Sequence, residues 1–325
     1  ELNYTYGRIL AHIGSSDSIH NKNKGNFLVE GTWDFEDTFN IVTGVDLALD
    51  YIDSTNVGKE NRVAPAIYAH ASIYLLDGLL SLHPSTNLTY LSDREAFSPN
   101  ASFGAIYNIG KESAIKANVS YAESPPTFSQ LYWVDPVWGP SGNASLETEK
   151  GLQGDFTFTT KLNALRYEGT LFGRNIYNAI VGFPSNNIGH SVYFGTEQAF
   201  TLELTEMFAI SASYLYNKSY DLSGGNTFSN NKEVEYVRKH TAKASASFAY
   251  KIFDAVLSGE FLDEYAGTYG TADPAFVLNL SFNAQVTEDL KVYIAVDNLL
   301  NASYELSAGY PMPGTKIRLG GNLKF

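Results

Sequence analysis

Apolar and polar residues alternate along the chain with a period of two, most cleanly in its last three segments. From Phe276 to Val286 every second residue is apolar, and most of the residues between them are polar. The same division recurs in residues 290–297 and in residues 316–325. A period of two is typical of β-strands with one apolar and one polar face, whereas a helix would repeat about every 3.6 residues. The pattern therefore predicts an all-β protein.

Two kinds of connection alternate between the predicted strands. Seven are short turns, near residues 35–38, 76–78, 109–111, 161–163, 205–207, 251–254 and 287–289. Eight are longer polar stretches, among them residues 14–25, 53–62, 123–145, 217–236 and 301–314. Together these connections join 16 strands, each to its neighbour in the chain. The sequence thus predicts an antiparallel up-and-down sheet of about 16 strands.

The apolar face of the predicted sheet must be shielded from water, either inside the protein or by lipid. In a soluble sandwich that face would turn inward, and alternation alone allows this arrangement. An up-and-down sheet of 16 strands, closed into a barrel, encloses a bore too wide for side chains to fill, so its apolar face points outward. In a bilayer, closure also pairs every backbone N–H and C=O group, and short turns at one end with long loops at the other are typical of membrane barrels. We therefore predict a transmembrane antiparallel up-and-down β-barrel.

The composition agrees with this prediction and disfavours other classes. The longest uninterrupted apolar run has five residues, whereas a membrane-spanning helix needs roughly 20. A formal net charge of −13 would repel a phosphate backbone, so no nucleic-acid partner is expected. Aromatic residues make up 14% of the chain. Those beside the predicted short turns would form a girdle at the membrane surface: Phe35, Phe39, Tyr107, Phe208, Tyr250, Phe253 and Phe325.

Two stretches resemble the barrel domain of TonB-dependent outer-membrane receptors, the transporters for ferric siderophores and cobalamin. Residues 97–150 contain FSPNASFGAIYNIG, VSYAESPPTFSQLYW and GNASLETEK in the order of that family, with Ala144 and Thr148 where proline is usual. Residues 297–325 read DNLLNASYELSAGYPMPGTKIRLGGNLKF and resemble the family's closing segment almost throughout, with Thr315 in place of the usual basic residue. A weaker similarity lies in GTEQAFTLEL, residues 195–204.

The resemblance implies a larger protein than this chain. Such receptors consist of a globular plug followed by a 22-stranded barrel, so about 16 of an expected 22 strands are present. Neither a plug domain nor the TonB box is recognised. Residues 1–325 are therefore expected to form a single β-barrel domain, the C-terminal portion of a receptor. Its first strand, residues 2–13, and its last, residues 316–325, should then be unpaired edges or close only with strain.

The resemblance also implies a location and partners. The protein would reside in the outer membrane of a Gram-negative bacterium and contact outer-membrane lipid. Its ligand would be a metal chelate or a similar small molecule, and it would engage the energy-transducing TonB complex through the missing N-terminal plug region.

No catalytic or metal-binding motif is recognisable in the sequence. Its six histidines show no metal-binding spacing, and no Gly-x-Ser-x-Gly motif is present. We therefore expect no enzyme, no catalytic residue, no metal site and no cofactor. Ligand capture at a barrel mouth would instead use aromatic and polar side chains at loop apices. The candidates are Tyr132, Trp133, Asp135 and Trp138, and more weakly Tyr220, Tyr265, Tyr269 and Tyr310. Alternatively, these side chains pack loop against loop or lie in the outer aromatic girdle.

Two functions are compatible with the pattern. The first is active uptake, in which the chain forms the barrel wall and the ligand-capturing extracellular loops of a transporter for a ferric siderophore or cobalamin. The alternative is a complete 16-stranded porin for passive diffusion, which the strand count favours and the family motifs oppose.

Overall fold

The computed structural model describes residues 2–13, 16–36, 38–137, 139–182, 184–267 and 270–324. Sixteen strands form one antiparallel sheet. They are β1 (Leu2–Ile13), β2 (Ser16–Phe35), β3 (Phe39–Ser54), β4 (Gly58–Leu75), β5 (Leu80–Leu91), β6 (Ala96–Ile109), β7 (Ser113–Ser124), β10 (Glu149–Leu162), β11 (Leu165–Val181), β12 (Asn186–Thr205), β13 (Phe208–Asp221), β14 (His240–Tyr250), β15 (Phe253–Leu262), β18 (Ala275–Gln285), β19 (Leu290–Asp297) and β22 (Lys316–Leu323).

Three small hairpins and two short helical segments lie in the connections. The hairpins pair β8 (Val134–Asp135) with β9 (Gly139–Pro140), β16 (Tyr265–Gly267) with β17 (Gly270–Ala272), and β20 (Glu305–Ser307) with β21 (Tyr310–Pro311). The helical segments are α1 (Phe128–Tyr132) and a 3₁₀ turn, Phe228–Asn230. In the described part of the chain, no helix is long and apolar enough to cross a membrane.

The strand order in the sheet follows the order in the chain, so the predicted up-and-down arrangement of 16 strands is confirmed. Among the described residues, β1 pairs only with β2, and β22 pairs only with β19. The sheet therefore has two edges, at the strands for which unpaired edges were predicted.

All seven predicted short turns are present, at one end of the sheet. The turn between β10 and β11 is an example, since Leu162 pairs directly with Leu165 and Asn163 adopts a positive φ of 52°. Positive φ values are tolerated best by glycine and asparagine. The other end of the sheet carries the long connections, of which those over residues 125–148, 222–239 and 298–315 match predicted loops.

Two predicted loops are wrong. Their polar composition predicts loops at residues 14–25 and 53–62, but most of these residues belong to β2, β3 and β4. His20 pairs with Ser54, and Asp53 pairs with Lys59, in unbroken antiparallel register. Polar side chains on both faces show that this part of the sheet contacts water. They do not end a strand, because the ladder of backbone hydrogen bonds continues wherever a neighbouring strand is available.

The apolar face of the sheet is not sealed inside the protein. Leu280 and Phe282 on β18 are 36% and 40% exposed, and Ile317 and Leu319 on β22 are 64% and 74% exposed. All the described long strands belong to one sheet, so no second large sheet covers this face. A contiguous apolar surface of this extent indicates contact with lipid rather than with water.

Candidate functional site

Aromatic side chains near both ends of the apolar face of β11 mark the thickness of a membrane. Tyr167 and Tyr177 lie on the same face of β11, ten residues apart, and Tyr177 is 48% exposed. That separation corresponds to roughly 33 Å along a strand. At the usual strand tilt it spans about 25 Å of bilayer, the height of the apolar band in membrane barrels. Residues beyond Tyr177 therefore lie outside the hydrocarbon layer.

The row at the short-turn end contains the predicted girdle. Four of its members on the apolar face are between 42% and 48% exposed: Phe35, Tyr107, Tyr250 and Phe253. Phe39 stacks on Phe35 with ring centroids 4.4 Å apart, and Phe208 pairs in register with Phe248. Phe325 lies outside the described residues. Aromatic rings in this position suit the boundary between hydrocarbon and water.

The polar face carries charges that are paired across strands. Lys243 Nζ lies 3.0 Å from Glu260 Oε1. Arg318 donates through Nε and Nη2 to the two carboxylate oxygens of Asp297, both at 2.8 Å. These side chains stay substantially exposed, which requires water on this side of the sheet. The polar face is therefore suited to line an aqueous bore.

The longest connection, residues 125–148, folds over the polar face; we call it the mouth loop. The ring of Trp133 stacks on the imidazole of His20, with centroids 5.5 Å apart and an interplanar angle of 19°. His20 is only 8% exposed, and its Nδ1 lies 2.7 Å from Ser54 Oγ. Asn56, in the β3–β4 turn, exchanges two hydrogen bonds with the backbone of Val134, at 2.7 and 2.9 Å. The mouth loop thus lies against β2 and the β3–β4 hairpin.

Local sequence explains how the mouth loop begins. Pro125 and Pro126 follow β7 and cannot donate to a strand ladder, so the strand ends there. Thr127 then caps α1: its Oγ1 accepts from Gln130 N at 3.3 Å, and its own N–H donates to Gln130 Oε1 at 2.8 Å. This reciprocal capping box fixes the direction of the short helix and places Phe128 above β4.

Arg62 of β4 holds the start of the mouth loop. Its guanidinium donates to both carboxylate oxygens of Asp93, at 2.7 and 2.6 Å, and to Pro126 O at 3.0 Å. The guanidinium carbon lies 5.2 Å from the ring centroid of Phe128. The side chains of Arg62 and Asp93 are only 12% and 10% exposed. A bidentate, largely buried pair of this kind is a stronger anchor than an exposed ion pair.

The far end of the mouth loop is anchored to β12. Glu147 N donates to Asn187 Oδ1 at 2.8 Å, and Asn187 Nδ2 donates to Glu147 O at 3.1 Å. Arg94 donates to the carbonyl of Leu146, whose side chain is fully buried. The mouth loop is therefore fixed at both ends on different parts of the sheet.

Four of the predicted ligand residues belong to the mouth loop. Tyr132 and Trp133 are half-buried, the latter against His20. Asp135 is 8% exposed, and its Oδ1 accepts from Val137 N at 2.8 Å. Trp138 lies outside the described residues. Trp133 and Asp135 thus shape the mouth loop, and ligand contact by any of the four stays a prediction.

The other predicted ligand residues that the structure describes lie outside the mouth loop, Tyr220 near the end of β13, Tyr265 in β16 and Tyr310 in β21. Tyr220 continues the apolar face of β13 and contacts the ring of Phe228, with centroids 5.1 Å apart. Tyr265 is 7% exposed beneath the guanidinium of Arg238, which lies 4.5 Å from its ring centroid. Tyr310 is 73% exposed, and Tyr269 lies outside the described residues. Among the described residues, Tyr220, Tyr265 and Tyr310 are therefore not brought together with the mouth loop.

A cavity of about 830 Å³ lies between the connections 222–239 and 263–274. Tyr265 lines it together with more acidic than basic side chains, among them Asp263, Glu264 and Asp273. In the described part of the chain, no group of three His, Cys, Asp or Glu side chains could hold a metal ion.

A group of basic residues on the polar face was not predicted from the sequence. Lys22, Lys24 and Arg62 line a notch of about 190 Å³ closed by residues 127–129 of the mouth loop. The two lysines lie in residues 14–25, for which the sequence predicts a loop, so no common face was expected for them. The available signal was the alternation in β2, which places His20, Lys22 and Lys24 on one face.

Comparison with known proteins gives a family match. The family model described as "TonB dependent receptor-like, beta-barrel" matches residues 2–299. The chain is 25% identical over 311 residues to the vitamin B12 transporter BtuB of Vibrio cholerae serotype O1, covering 91% of this chain and 48% of the relative. It is 25% identical over 229 residues to BtuB of Photobacterium profundum, covering 67% of this chain and 37% of the relative. The chain spans about half the length of the curated relatives it matches.

Solved structures share the fold. The copper transporter OprC superimposes with a TM-score of 0.78 at 15% identity, covering 95% of this chain and 57% of OprC. The siderophore receptor PirA from Pseudomonas aeruginosa superimposes with a TM-score of 0.73 at 16% identity, covering 100% of this chain and 62% of PirA. At these identities the similarity concerns the fold alone.

Proposed function

Because the chain belongs to the TonB-dependent receptor β-barrel family, we propose that it forms the wall and mouth of an active transporter for a metal chelate. A ferric siderophore or cobalamin represents the expected class of ligand. The family consists of outer-membrane proteins of Gram-negative bacteria, and the relatives found are transporters and receptors rather than enzymes.

One observation carries the proposal: the mouth loop folds over the polar face at the long-loop end and is anchored there by Arg62 and Asn187. A ligand that approaches the bore would first meet this loop. Tyr132 is half-buried within it, and Tyr310 is 73% exposed on another loop at the same end. These two side chains offer amphipathic surface of the kind that binds small molecules in clefts.

The names of the relatives favour this ligand class. Two curated relatives are vitamin B12 transporters, and structural neighbours include a siderophore receptor and a copper transporter. All of these cargoes contain a metal ion or bind one. For this chain we retain the class, and propose Tyr132, Trp133, Asp135, Trp138, Tyr220, Tyr265, Tyr269 and Tyr310 as contacts to be tested.

The sheet edges support a second part of the proposal. Among the described residues, β1 and β22 each have one neighbour, and an open edge in a bilayer would leave backbone groups unpaired. We therefore propose that residues 1–325 form one β-barrel domain in which further strands complete the wall. The TonB complex would act on a plug domain inside that barrel.

The passive-porin alternative has no support from the comparisons, since the family model and the relatives are those of TonB-dependent receptors.

The test is ligand binding and uptake by the full-length native protein in outer-membrane vesicles and in cells. Labelled cyanocobalamin and labelled ferric siderophores should bind saturably, and uptake should stop when the inner membrane is de-energised. Tyr310→Ala should weaken binding, whereas Lys111→Ala, at a short turn, should not. Uptake of small solutes at a rate proportional to their concentration and independent of energy would contradict the proposal.

A further inference from the structure

We propose that Lys22 and Lys24 form a subsite for an anionic oxygen group, such as a phosphate, carboxylate or catecholate, on the soluble ligand that enters the mouth. The subsite is the basic notch between β2–β4 and the mouth loop. This inference rests on the proposed function, because it names the chemical group of the ligand that one part of the same mouth would bind.

The notch has the size and position of a subsite. Its volume of about 190 Å³ holds a small oxyanion with some water, but not a whole metal chelate. Lys22 and Lys24 lie two residues apart on the polar face of β2, and residues 127–129 form the opposite wall. Because this face is turned away from lipid, a soluble ligand rather than a membrane headgroup would reach it.

The charges around the notch leave one cation uncompensated. Lys24 Nζ lies 3.3 Å from Asp50 Oδ1, and the charge of Arg62 is matched by Asp93. Lys22 forms no ion pair with any residue that the structure describes. Glu60 shares a cross-strand row with Lys22, but Ile52 stands between them. A local excess of positive charge is unusual in a chain with a net charge of −13.

Lys22 acts electrostatically on its surroundings. His20 lies on the same face of β2, and its pKa is lowered first by burial and then by the charge of Lys22. Both effects oppose protonation of the imidazole, so the cationic donors of the notch are the ammonium groups of Lys22 and of Lys24, which also faces Asp50. Both lysines are exposed.

Arg62 has a different part in the notch. Its guanidinium is engaged by Asp93, Pro126 O and the Phe128 ring. Arg62 is thus a positioning residue that holds the mouth loop in place as the wall of the notch. The anion would be bound by Lys22 and Lys24, with the hydroxyl group of Ser129 on the facing wall.

Calorimetric titration of the full-length protein in detergent with inorganic phosphate, and separately with citrate, tests the subsite. The buffer should have low ionic strength, because exposed charge interactions are screened by salt. We expect saturable binding that weakens at least tenfold in the double variant K22Q/K24Q. The matched control is K59Q, which removes a lysine with a 72% exposed side chain that is paired with Asp53 outside the notch. Absence of saturable binding, equal binding by K22Q/K24Q, or an equal loss in K59Q would overturn the subsite.

Chelate binding on the same variants separates this inference from the proposed function. If labelled cyanocobalamin and ferric siderophores bind the native protein but phosphate and citrate do not, the receptor role stands and the subsite fails. If phosphate binds through Lys22 and Lys24 but the native protein binds none of the chelates, the subsite stands and the receptor role fails.

Discussion

The hydroxyl of Tyr68 donates a hydrogen bond of 2.6 Å to Glu30 across the glycine that lies between them. Gly44 pairs in register with Glu30 on one side and with Tyr68 on the other. The phenol ring covers Gly44 so closely that a Cβ there would come within 2.4 Å of it. Glycine therefore lets an aromatic side chain lie flat on the polar face and tie three strands together.

Gly44→Ala should displace the Tyr68 ring and destabilise the sheet by about 1–3 kcal/mol, the usual cost of overpacking. The matched control is Gly173→Ala, because a Cβ at Gly173 would meet nothing within 4 Å. Urea titration of the native protein in lipid vesicles measures both. Equal stability of the two variants would show that the ring does not depend on the glycine.

Asp93→Asn should loosen the mouth loop. The substitution leaves the largely buried guanidinium of Arg62 without its counter-charge, and loss of one partner of such a pair costs about 3 kcal/mol. Residues 127–133 should then exchange their amide hydrogens faster, as measured by mass spectrometry. The control Asp53→Asn breaks an exposed pair with Lys59, at 3.6 Å, and should change little. Unchanged exchange in Asp93→Asn would mean that Arg62 does not anchor the loop.

Acidification should release the connection 222–239. Burial raises the pKa of Asp221, but hydrogen bonds from Lys232 and Ser223 outweigh it, so the pKa lies below its ordinary value of 3.8. Burial likewise raises the pKa of Glu233, and hydrogen bonds from Lys218 and Lys239 bring it below 4.5. A carboxyl group with a lowered folded-state pKa contributes stability above its ordinary pKa and loses it as the pH falls through the folded value.

A spin label measures this release, and the chain contains no cysteine to interfere. Attached at Ser229→Cys, it should be restrained at pH 7 and should become mobile only below about pH 4. A label at Lys111→Cys, in a short turn, serves as the control and should not respond. Mobility that rises near pH 6 would assign the release to other groups.

Leu280→Arg should strongly destabilise the protein in a bilayer. Leu280 lies on the apolar face of β18, and an arginine facing the middle of the membrane costs about 2–4 kcal/mol in membrane barrels. Asn279→Arg, one residue away on the polar face, should cost far less because its side chain meets water. The free energy of unfolding in lipid vesicles gives both values, and a larger cost for Asn279→Arg would reverse the assignment of the faces.

Strand number, topology and faces were predictable because each depends on local pattern. Alternation such as that of Phe276–Val286 defines a face, and seven short turns fix the order of the strands. The length of the hairpins was not predictable in the same way. In residues 14–25 both faces are polar, so their sequence resembles a loop although their backbone continues the ladder.

The mouth was predictable only in part. The aromatic and proline content of residues 123–145 marked a folded loop, but nothing local indicates that Trp133 stacks on His20 or that Arg62 binds Pro126. These contacts join residues far apart in sequence and depend on how the loop folds over the sheet. For the same reason, Lys22 and Lys24 were recognised as part of the mouth only from the structure.

Site-directed spin labelling along β18 (Ala275–Gln285) of the full-length protein in lipid vesicles measures which face of the sheet contacts lipid. At each position, the accessibility to oxygen, which concentrates in lipid, is compared with the accessibility to a water-soluble nickel chelate. We expect a period of two, with oxygen favoured at Phe276, Leu278, Leu280 and Phe282 and the nickel chelate favoured at Asn279, Ser281 and Asn283. The opposite phase, or no alternation at all, would contradict a sheet whose apolar face meets the membrane and whose polar face lines a bore.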